Sequence, residues 1–255
     1  MFLRRKSGLA LFAGLLSGAT RTKENFDFPK SRTSSGFIMS FRRYILASRS
    51  PRRLELLRQI VHPELILVQP PESSREQGFD DCSDITSIRV RLQKIARHKA
   101  EQVREALNAE EASLYERPRT LIIAADTTVI ASESDGAPVI LGQPPDHEDW
   151  REVVSEWFRR YYAGRTHIAA TAVHVVTPDG RCAERLIETR VTFRADIDRW
   201  LNWYLLTGEP RGKAGGYALQ GAGSVFIDKV EGSLSNVVGL PLEALLELFA
   251  EVDLR

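Results

Sequence analysis

The apolar run at residues 121–125, Leu-Ile-Ile-Ala-Ala, constrains the fold of this chain more than any other segment. Such a short run, rich in β-branched residues, is typical of a strand that is covered on both faces, as in α/β proteins. Further strand patterns lie at residues 44–47, 65–68, 168–176, 185–193 and 225–230, and helix patterns at 50–60, 87–107, 149–161, 196–206 and 242–252. Strands interspersed with helices, and two adjacent strands that suit a hairpin, predict a mixed α/β sheet.

Composition excludes several classes of protein. With 43% hydrophobic and 27% charged residues, the chain is unlike a disordered or fibrous protein. A net charge of only +1 gives no broad basic surface for nucleic acid, so a polyanion needs a local cluster of cations. No apolar run approaches the ~18 residues that cross a membrane. Cys82 and Cys182 lie far apart in sequence and are interpreted as reduced thiols of a cytosol-like compartment.

Residues 1–39 differ from the rest of the chain. Basic residues flank a short apolar run at residues 8–19, and acidic residues are scarce. An untargeted extension, a mitochondrial presequence and a secretory signal are all compatible with this composition. Because the first strand pattern begins just after Met39, we expect an N-terminal extension over residues 1–39 and one domain over residues 40–255. The expected location is cytoplasmic, or mitochondrial if the extension is a transit peptide.

The segment Ser-Arg-Ser-Pro-Arg-Arg, residues 48–53, lies at a predicted junction between a strand and a helix. Ser50 suits the N-cap and Pro51 the first helical position. Arg52 and Arg53 then fall in the first turn, where cations oppose the helix dipole. A bound phosphate chain would give both guanidinium groups a partner. The alternative is two solvated arginines at an exposed helix start.

Two further segments suggest chemistry. Asp126 directly follows the apolar run, and we expect it at the strand end, where α/β folds place ligands. There it would bind a metal or orient a water, although a turn or helix cap is the equal alternative. The glycine-dense residues 208–221 contain one lysine, Lys213, and suit a loop that approaches a ligand closely. They lack the Walker A spacing, and a plain connector is the alternative.

Taken together, these segments resemble the Maf family. The matching motifs fall in the family's order at residues 46–53, 55–57, 125–127, 141–142, 208–210, 213–215, 220–221, 230–232 and 236–242. The resemblance covers residues 44–250. It implies a mixed, twisted α/β sheet in two lobes with a central nucleotide cleft, similar to inosine triphosphate pyrophosphatase. It also implies a pyrophosphatase that converts nucleoside triphosphates to monophosphate and diphosphate with Mg²⁺ or Mn²⁺, and a homodimer.

The resemblance also implies roles for individual residues. Asp126 matches the catalytic carboxylate, as proton acceptor or metal ligand, and Glu72 is a weaker match for a second acidic group at the metal. The positions that match substrate-binding groups are Ser48, Arg52, Arg53, Lys99, Thr127, Gln143, Lys213 and Gln220. Among them Arg52, Thr127 and Gln220 fit the subgroup that prefers dTTP and UTP, with modified pyrimidine triphosphates as a further option.

Two positions depart from the family pattern. Gln143 replaces a lysine and Gly212 replaces an aspartate. Since a charged hydrogen bond exceeds a neutral one by roughly 1 kcal/mol, we expect Gln143 to slow turnover roughly ten-fold. These departures support a rival interpretation, a nucleotide-binding protein with weak or lost catalysis. A structural role in cell division is a third. The retained charged groups, which a scaffold does not need, favour the enzyme.

Overall fold

The structure is a computed structural model, and it describes residue 41 and residues 43–72, 78–109 and 119–253. The predicted extension, residues 1–39, lies outside these described residues. The described residues belong to one compact unit. None of the described helices combines the length and apolar character that a membrane span requires.

Seven strands form one mixed sheet. They are β1 Arg43–Leu46, β2 Ile66–Val68, β3 Thr120–Ser132, β4 Pro138–Leu141, β5 Thr166–Val176, β6 Cys182–Phe193 and β7 Ile227–Glu231. The order across the sheet is β2-β1-β3-β5-β6-β7, and β4 pairs with β3 off this path. β1 is parallel to β2 and β3, whereas the other pairs are antiparallel. The predicted mixed α/β sheet is confirmed, as is the predicted hairpin, which is formed by β5 and β6.

The predicted helices are present with small changes at their ends. Those described are α1 Pro51–Leu57, α2 Ile85–Ala109, α3 Trp150–Trp157, α4 Asp198–Thr207, α5 Leu234–Val238 and α6 Leu242–Asp253. A π-helical turn, Phe158–Tyr162, extends α3. The predicted strand at residues 225–230 was placed too early, because a 3₁₀ turn, Ala222–Phe226, precedes β7. Neither β4 nor α5 was predicted from the sequence.

The prediction that a strand ends at Ala125 is wrong. β3 continues to Ser132, so Asp126 lies inside the strand and caps neither a turn nor a helix. The residues that follow Asp126 include Thr127 and Thr128, which favour strand conformation. β5 also pairs with β3 without interruption from Ile122 to Ile130, and this ladder carries β3 past the expected end.

The other edge of β3 is interrupted at Asp126. Along that edge β1 pairs with β3 as far as Ile123, and β4 pairs with it from Val129 onward. Within the described part of the chain, residues 124–128 have no strand neighbour on this edge. The sheet is therefore open beside Asp126 and Thr127.

The two faces of β3 carry different neighbours. On one face Ala125 belongs to a core cluster with α1 and α6, and Val129 belongs to another with α3 and α4. Thr127 lies between these two clusters, which form the two lobes that the resemblance implies. On the opposite face, Ala124 and Ile130 pack in clusters with α2. Asp126 lies between these two residues and therefore faces α2.

Candidate active site

A cleft of about 640 Å³ opens at the break in the sheet. Its walls come from the junction of β1 and α1, from α2, β3, the end of β4, the glycine-dense segment and α5. All the predicted site residues except Glu72 line it: Ser48, Arg52, Arg53, Lys99, Asp126, Thr127, Gln143, Lys213 and Gln220. Glu72 is exposed and lies outside the lining, although its neighbour Pro71 belongs to it.

Asp126 is the sole acidic residue in the described lining of the cleft. The Lys99 ammonium donates a hydrogen bond of 2.6 Å to Asp126 Oδ1, and the two side chains are only 13% and 12% exposed. A charged hydrogen bond of this length fixes the orientation of the carboxylate. The family resemblance implies a substrate-binding role for Lys99, whereas in the structure its ammonium contacts Asp126.

Two ion pairs hold α2 in the register that Lys99 needs. Arg89 pairs with Glu188 through two hydrogen bonds of 2.7 Å, and Arg97 pairs with Glu184 at 2.8 and 3.3 Å. Eight residues of helix rise about 12 Å, and four residues of strand about 13 Å, so the two pairs match in spacing. They fix α2 along β6 and thereby place Lys99 beside β3.

Arg53 is a framework residue of the cleft. The predicted cap is present, because Ser50 Oγ accepts the Arg53 N–H at 3.4 Å. The Arg53 guanidinium donates to Gly239 O at 2.8 Å, to Thr127 Oγ1 at 3.0 Å and to Ser48 Oγ at 3.3 Å. Arg53 thus joins α1, β3 and the end of α5, and the Thr127 hydroxyl is already engaged.

Arg52 and Lys213 differ from Arg53. No hydrogen bond involves the Arg52 side chain within the described residues. Burial lowers the pKa of Arg52, against the opposing charges of Glu209 and Glu55. Burial also lowers the pKa of Lys213, and the nearby charge of Arg52 lowers it further, while Glu209 opposes both. Two half-buried cations that repel each other form a site that a bound anion would stabilise.

The glycines of residues 208–221 allow close packing of the backbone against other parts of the protein, in addition to lining the cleft. A Cβ on Gly215 would lie 2.6 Å from the Tyr162 hydroxyl and 2.7 Å from a methyl of Val129, and its φ is +71°. Its N–H donates to Gly142 O at 2.9 Å, which joins the segment to the end of β4. The glycines predicted a close approach of the backbone to a ligand. At Gly215 the backbone instead approaches the side chains of Tyr162 and Val129.

The two departures from the family pattern lie in the cleft. Gln143 is exposed in the lining just after β4, and Gly212 lines it beside Lys213. Two extra cations near the matched motifs, Arg49 and Arg211, are the candidates to supply the charge that Gln143 lacks. Arg49 lines the same cleft, whereas Arg211 lies outside the described lining.

Sequence analysis missed one functional candidate, Glu209. Its carboxylate accepts the N–H groups of Ala222 at 2.7 Å and Gly223 at 2.9 Å. Its position as the single acidic residue among residues 208–221 was the available signal.

The donor set limits how a metal ion would be held. Among the described residues, no group of three or more His, Cys, Asp or Glu side chains is arranged to hold a metal ion. Mg²⁺, however, is usually bound through one or two carboxylates and completes its shell with substrate phosphates and water. Asp126 in a cation-rich cleft fits an ion that arrives with a phosphate chain.

Comparisons with known proteins find a matching family model, similar sequences and similar structures. The sequence model of the family described as Maf-like protein matches residues 43–252. The dTTP/UTP pyrophosphatase of Brucella abortus (strain 2308) is 35% identical over 213 residues, covering 81% of this chain and 90% of the relative. The dTTP/UTP pyrophosphatase of Burkholderia orbicola (strain AU 1054) is 40% identical over 200 residues, covering 77% and 87%. Among solved structures, a HAM1 protein from Coxiella burnetii matches with 16% identity and a TM-score of 0.42, covering 82% of this chain and 98% of that one.

Proposed function

The chain belongs to the Maf family, and from this premise we propose that it hydrolyses nucleoside triphosphates to the monophosphate and diphosphate. The observation that carries the proposal is a single carboxylate, Asp126, in a cleft whose other charged groups are cations. A triphosphate needs such cations to bind, and its hydrolysis needs one group to accept a proton.

The phosphate chain is held by Arg52 and Lys213, whose pKa values stay lowered despite the opposing charge of Glu209. Arg52 and Lys213 are half-buried, which makes their positive charges costly. An anion that lies between them would lower this electrostatic cost for both side chains. Arg53 contributes less directly, because its hydrogen bonds to Ser48 and Thr127 hold the wall of the cleft. Binding energy from the β- and γ-phosphates then fixes the α-phosphate near Asp126.

Hydrolysis exchanges one P–O bond for another and transfers one proton from water. A water oxygen bonds to the α-phosphorus, and the bond between the α-phosphorus and the bridging oxygen breaks. Diphosphate leaves with that oxygen, and the water proton passes to the Asp126 carboxylate. Lys99 keeps the carboxylate oriented through their 2.6 Å hydrogen bond. Negative charge grows on the leaving diphosphate, where Arg52 and Lys213 stabilise it.

The proposed cofactor is a divalent cation, Mg²⁺ or Mn²⁺, held by Asp126 and substrate oxygens, with Glu72 as a weaker second ligand. When bound, such an ion neutralises phosphate charge. Support comes from the donor chemistry of the described lining, where one carboxylate, Asp126, lies among cations.

The proposed substrates are dTTP and UTP, with modified pyrimidine triphosphates as further candidates. The names of the two relatives above support this choice. Gln220 is exposed in the lining and offers both a donor and an acceptor to a base edge. The Thr127 hydroxyl already contacts Arg53 and Thr171, so Gln220 is the better candidate for reading the base.

A nucleotide-binding protein with weak or lost turnover is the second candidate, and Gln143 and Gly212 favour it. An assay of diphosphate release from a panel of triphosphates, with Mg²⁺ or Mn²⁺, separates the two. The enzyme releases diphosphate fastest from UTP or dTTP. Calorimetric binding of UTP without release would establish the binding protein instead.

The proposed assembly is a homodimer, and the proposed compartment is the cytoplasm. The mitochondrion is the alternative if residues 1–39 are a transit peptide. The family resemblance supports the first proposal, and two cysteines without a disulfide support the second. Light scattering of the purified protein and fractionation of cells that produce the full chain test them.

A further inference from the structure

Glu209 contacts both the glycine-dense segment and the 3₁₀ turn that follows it. Its carboxylate accepts the N–H groups of Ala222 and Gly223 and a hydrogen bond of 3.3 Å from the Tyr204 hydroxyl. Its main-chain oxygen accepts the Lys213 ammonium at 2.5 Å. One residue thus fixes both the start of the 3₁₀ turn before β7 and the side chain of the loop lysine.

The charge of Glu209 also faces the proposed phosphate site. It acts on both Arg52 and Lys213, opposing the effect of burial on each. The charged groups that act on Lys213 are Arg52 of α1 and Glu209 of its own segment. Glu209 itself does not line the described cleft, so it acts behind the cations without contacting the substrate.

A glycine makes room for this carboxylate. A Cβ on Gly221 would collide with Glu209, because both carboxylate oxygens and the carbon between them are the three nearest atoms. A side chain at position 221 would therefore displace the carboxylate while leaving its charge in the protein. Glu209 is the only acidic residue of residues 208–221, and Gly221 leaves the space that its carboxylate occupies.

From these contacts we propose that Glu209 is the positioning residue of the phosphate site: it sets the geometry of Lys213 and keeps Lys213 and Arg52 together in one half-buried cluster. The inference rests on the proposed function. Without the Glu209 carboxylate, no acidic group offsets the effect of Arg52 on Lys213, and the backbone N–H groups of Ala222 and Gly223 lose their charged acceptor.

Three variants test the proposal. Glu209→Gln keeps the size of the side chain but removes its charge, and Gly221→Ala keeps the charge but displaces the carboxylate. Glu55→Gln is the matched control, since Glu55 also acts on Arg52 but is exposed and lies outside the lining. The probe is inorganic tripolyphosphate, measured by calorimetry, together with KM and kcat for UTP.

We expect Glu209→Gln to weaken tripolyphosphate binding and raise KM for UTP about ten-fold, because the weakened anchor of Ala222 and Gly223 outweighs the removal of a negative charge near the anion. The value of kcat should change less than about three-fold. Gly221→Ala should raise KM similarly, and Glu55→Gln should change it less than about two-fold. Unchanged tripolyphosphate binding in a folded Glu209→Gln or Gly221→Ala protein would overturn the proposal. Because tripolyphosphate binding needs no turnover, this result is independent of whether the wild type hydrolyses UTP.

A pH profile separates positioning from a purely structural role. Glu209 raises the pKa of Lys213, so its neutral replacement lowers that pKa further. As Lys213 loses its proton at alkaline pH, tripolyphosphate binding weakens. This weakening should occur at a lower pH in Glu209→Gln than in the wild type, and Gly221→Ala should shift it less. An alkaline limb that does not move in Glu209→Gln would contradict the electrostatic part of the proposal.

Discussion

Lys99 and Asp126 are joined by a 2.6 Å hydrogen bond between the middle of α2 and the middle of β3. The contact depends on two features that are distant in sequence. The ion pairs of Arg89 and Arg97 fix α2 along β6, and the break in the sheet opens β3 at Asp126. The functional assignment of the cleft follows from this pair, because it places an oriented carboxylate among cations.

Arg52 and Arg53 are adjacent, yet they should respond differently to replacement. Arg53→Ala removes three hydrogen bonds to Ser48, Thr127 and Gly239, and we expect a loss of about 1–3 kcal/mol in the free energy of unfolding. Arg52→Ala should change stability by less than about 0.5 kcal/mol but raise KM for UTP about ten-fold or more. Urea unfolding and steady-state kinetics on both variants check this. Equal loss of stability in the two would refute the division of roles.

Gln143 should limit turnover. Because a lysine stabilises the growing charge on diphosphate better than an amide, Gln143→Lys should raise kcat for UTP roughly ten-fold. Arg49 is the alternative source of that charge, since it lines the cleft while Arg211 does not. We therefore expect a larger gain from lysine in an Arg49→Ala background than in Arg211→Ala. If lysine gives no gain in any background, position 143 is not rate-limiting.

Residues 1–39 should be dispensable for catalysis. They lack a core-like pattern, and the family match begins at residue 43. A chain that starts at Met39 retains every residue of the family match, so it should unfold within about 2 °C of the full chain and turn over UTP at the same rate. A marked fall in Tm or kcat would show that the extension contributes to the folded domain.

His167 should make stability depend on pH. Burial lowers its pKa from 6.5 to about 3, and its Nε2 contacts the Tyr217 hydroxyl at 2.8 Å. Between these values only the unfolded chain binds the proton, so stability falls as pH decreases from 6.5 towards 3. One such group contributes about 1.4 kcal/mol per pH unit.

Urea midpoints measured between pH 6 and pH 4 check this effect. His167→Gln should lose that part of the slope and retain the part due to His174, whose pKa burial also lowers. His62→Gln, at an exposed position, should keep the wild-type slope. A His167→Gln protein with the wild-type slope would contradict the assignment.

Local features of the fold were predictable, and features set by distant pairing were not. The Ser50 cap and the mixed sheet follow from patterns of a few residues. The continuation of β3 past Ala125 depends on its ladder with β5, which no local pattern records. Lys99 looks like any exposed lysine of an amphipathic helix until α2 is placed against the sheet.

The candidate site shows the same limit. Family motifs located the residues of the cleft, but they did not distinguish the role of Arg52 from that of Arg53. They also gave Glu209 no role. Those roles depend on contacts across large sequence separations, such as Arg53 with Gly239. The glycines at residues 208–221 predicted a close approach, and the structure identifies one partner of that approach as Tyr162.

The central claim is that Asp126 is the catalytic carboxylate, and kcat of Asp126→Asn with UTP tests it most directly. Asparagine preserves the size of the side chain, so the variant should fold, as circular dichroism can check. Its Tm should lie below that of Asp228→Asn, an exposed control on β7, because the largely buried Lys99 loses the charge of its ion-pair partner. Removal of the proton acceptor should lower kcat by about 10²–10⁴-fold. A folded Asp126→Asn protein that retains more than about a tenth of wild-type turnover would contradict the account.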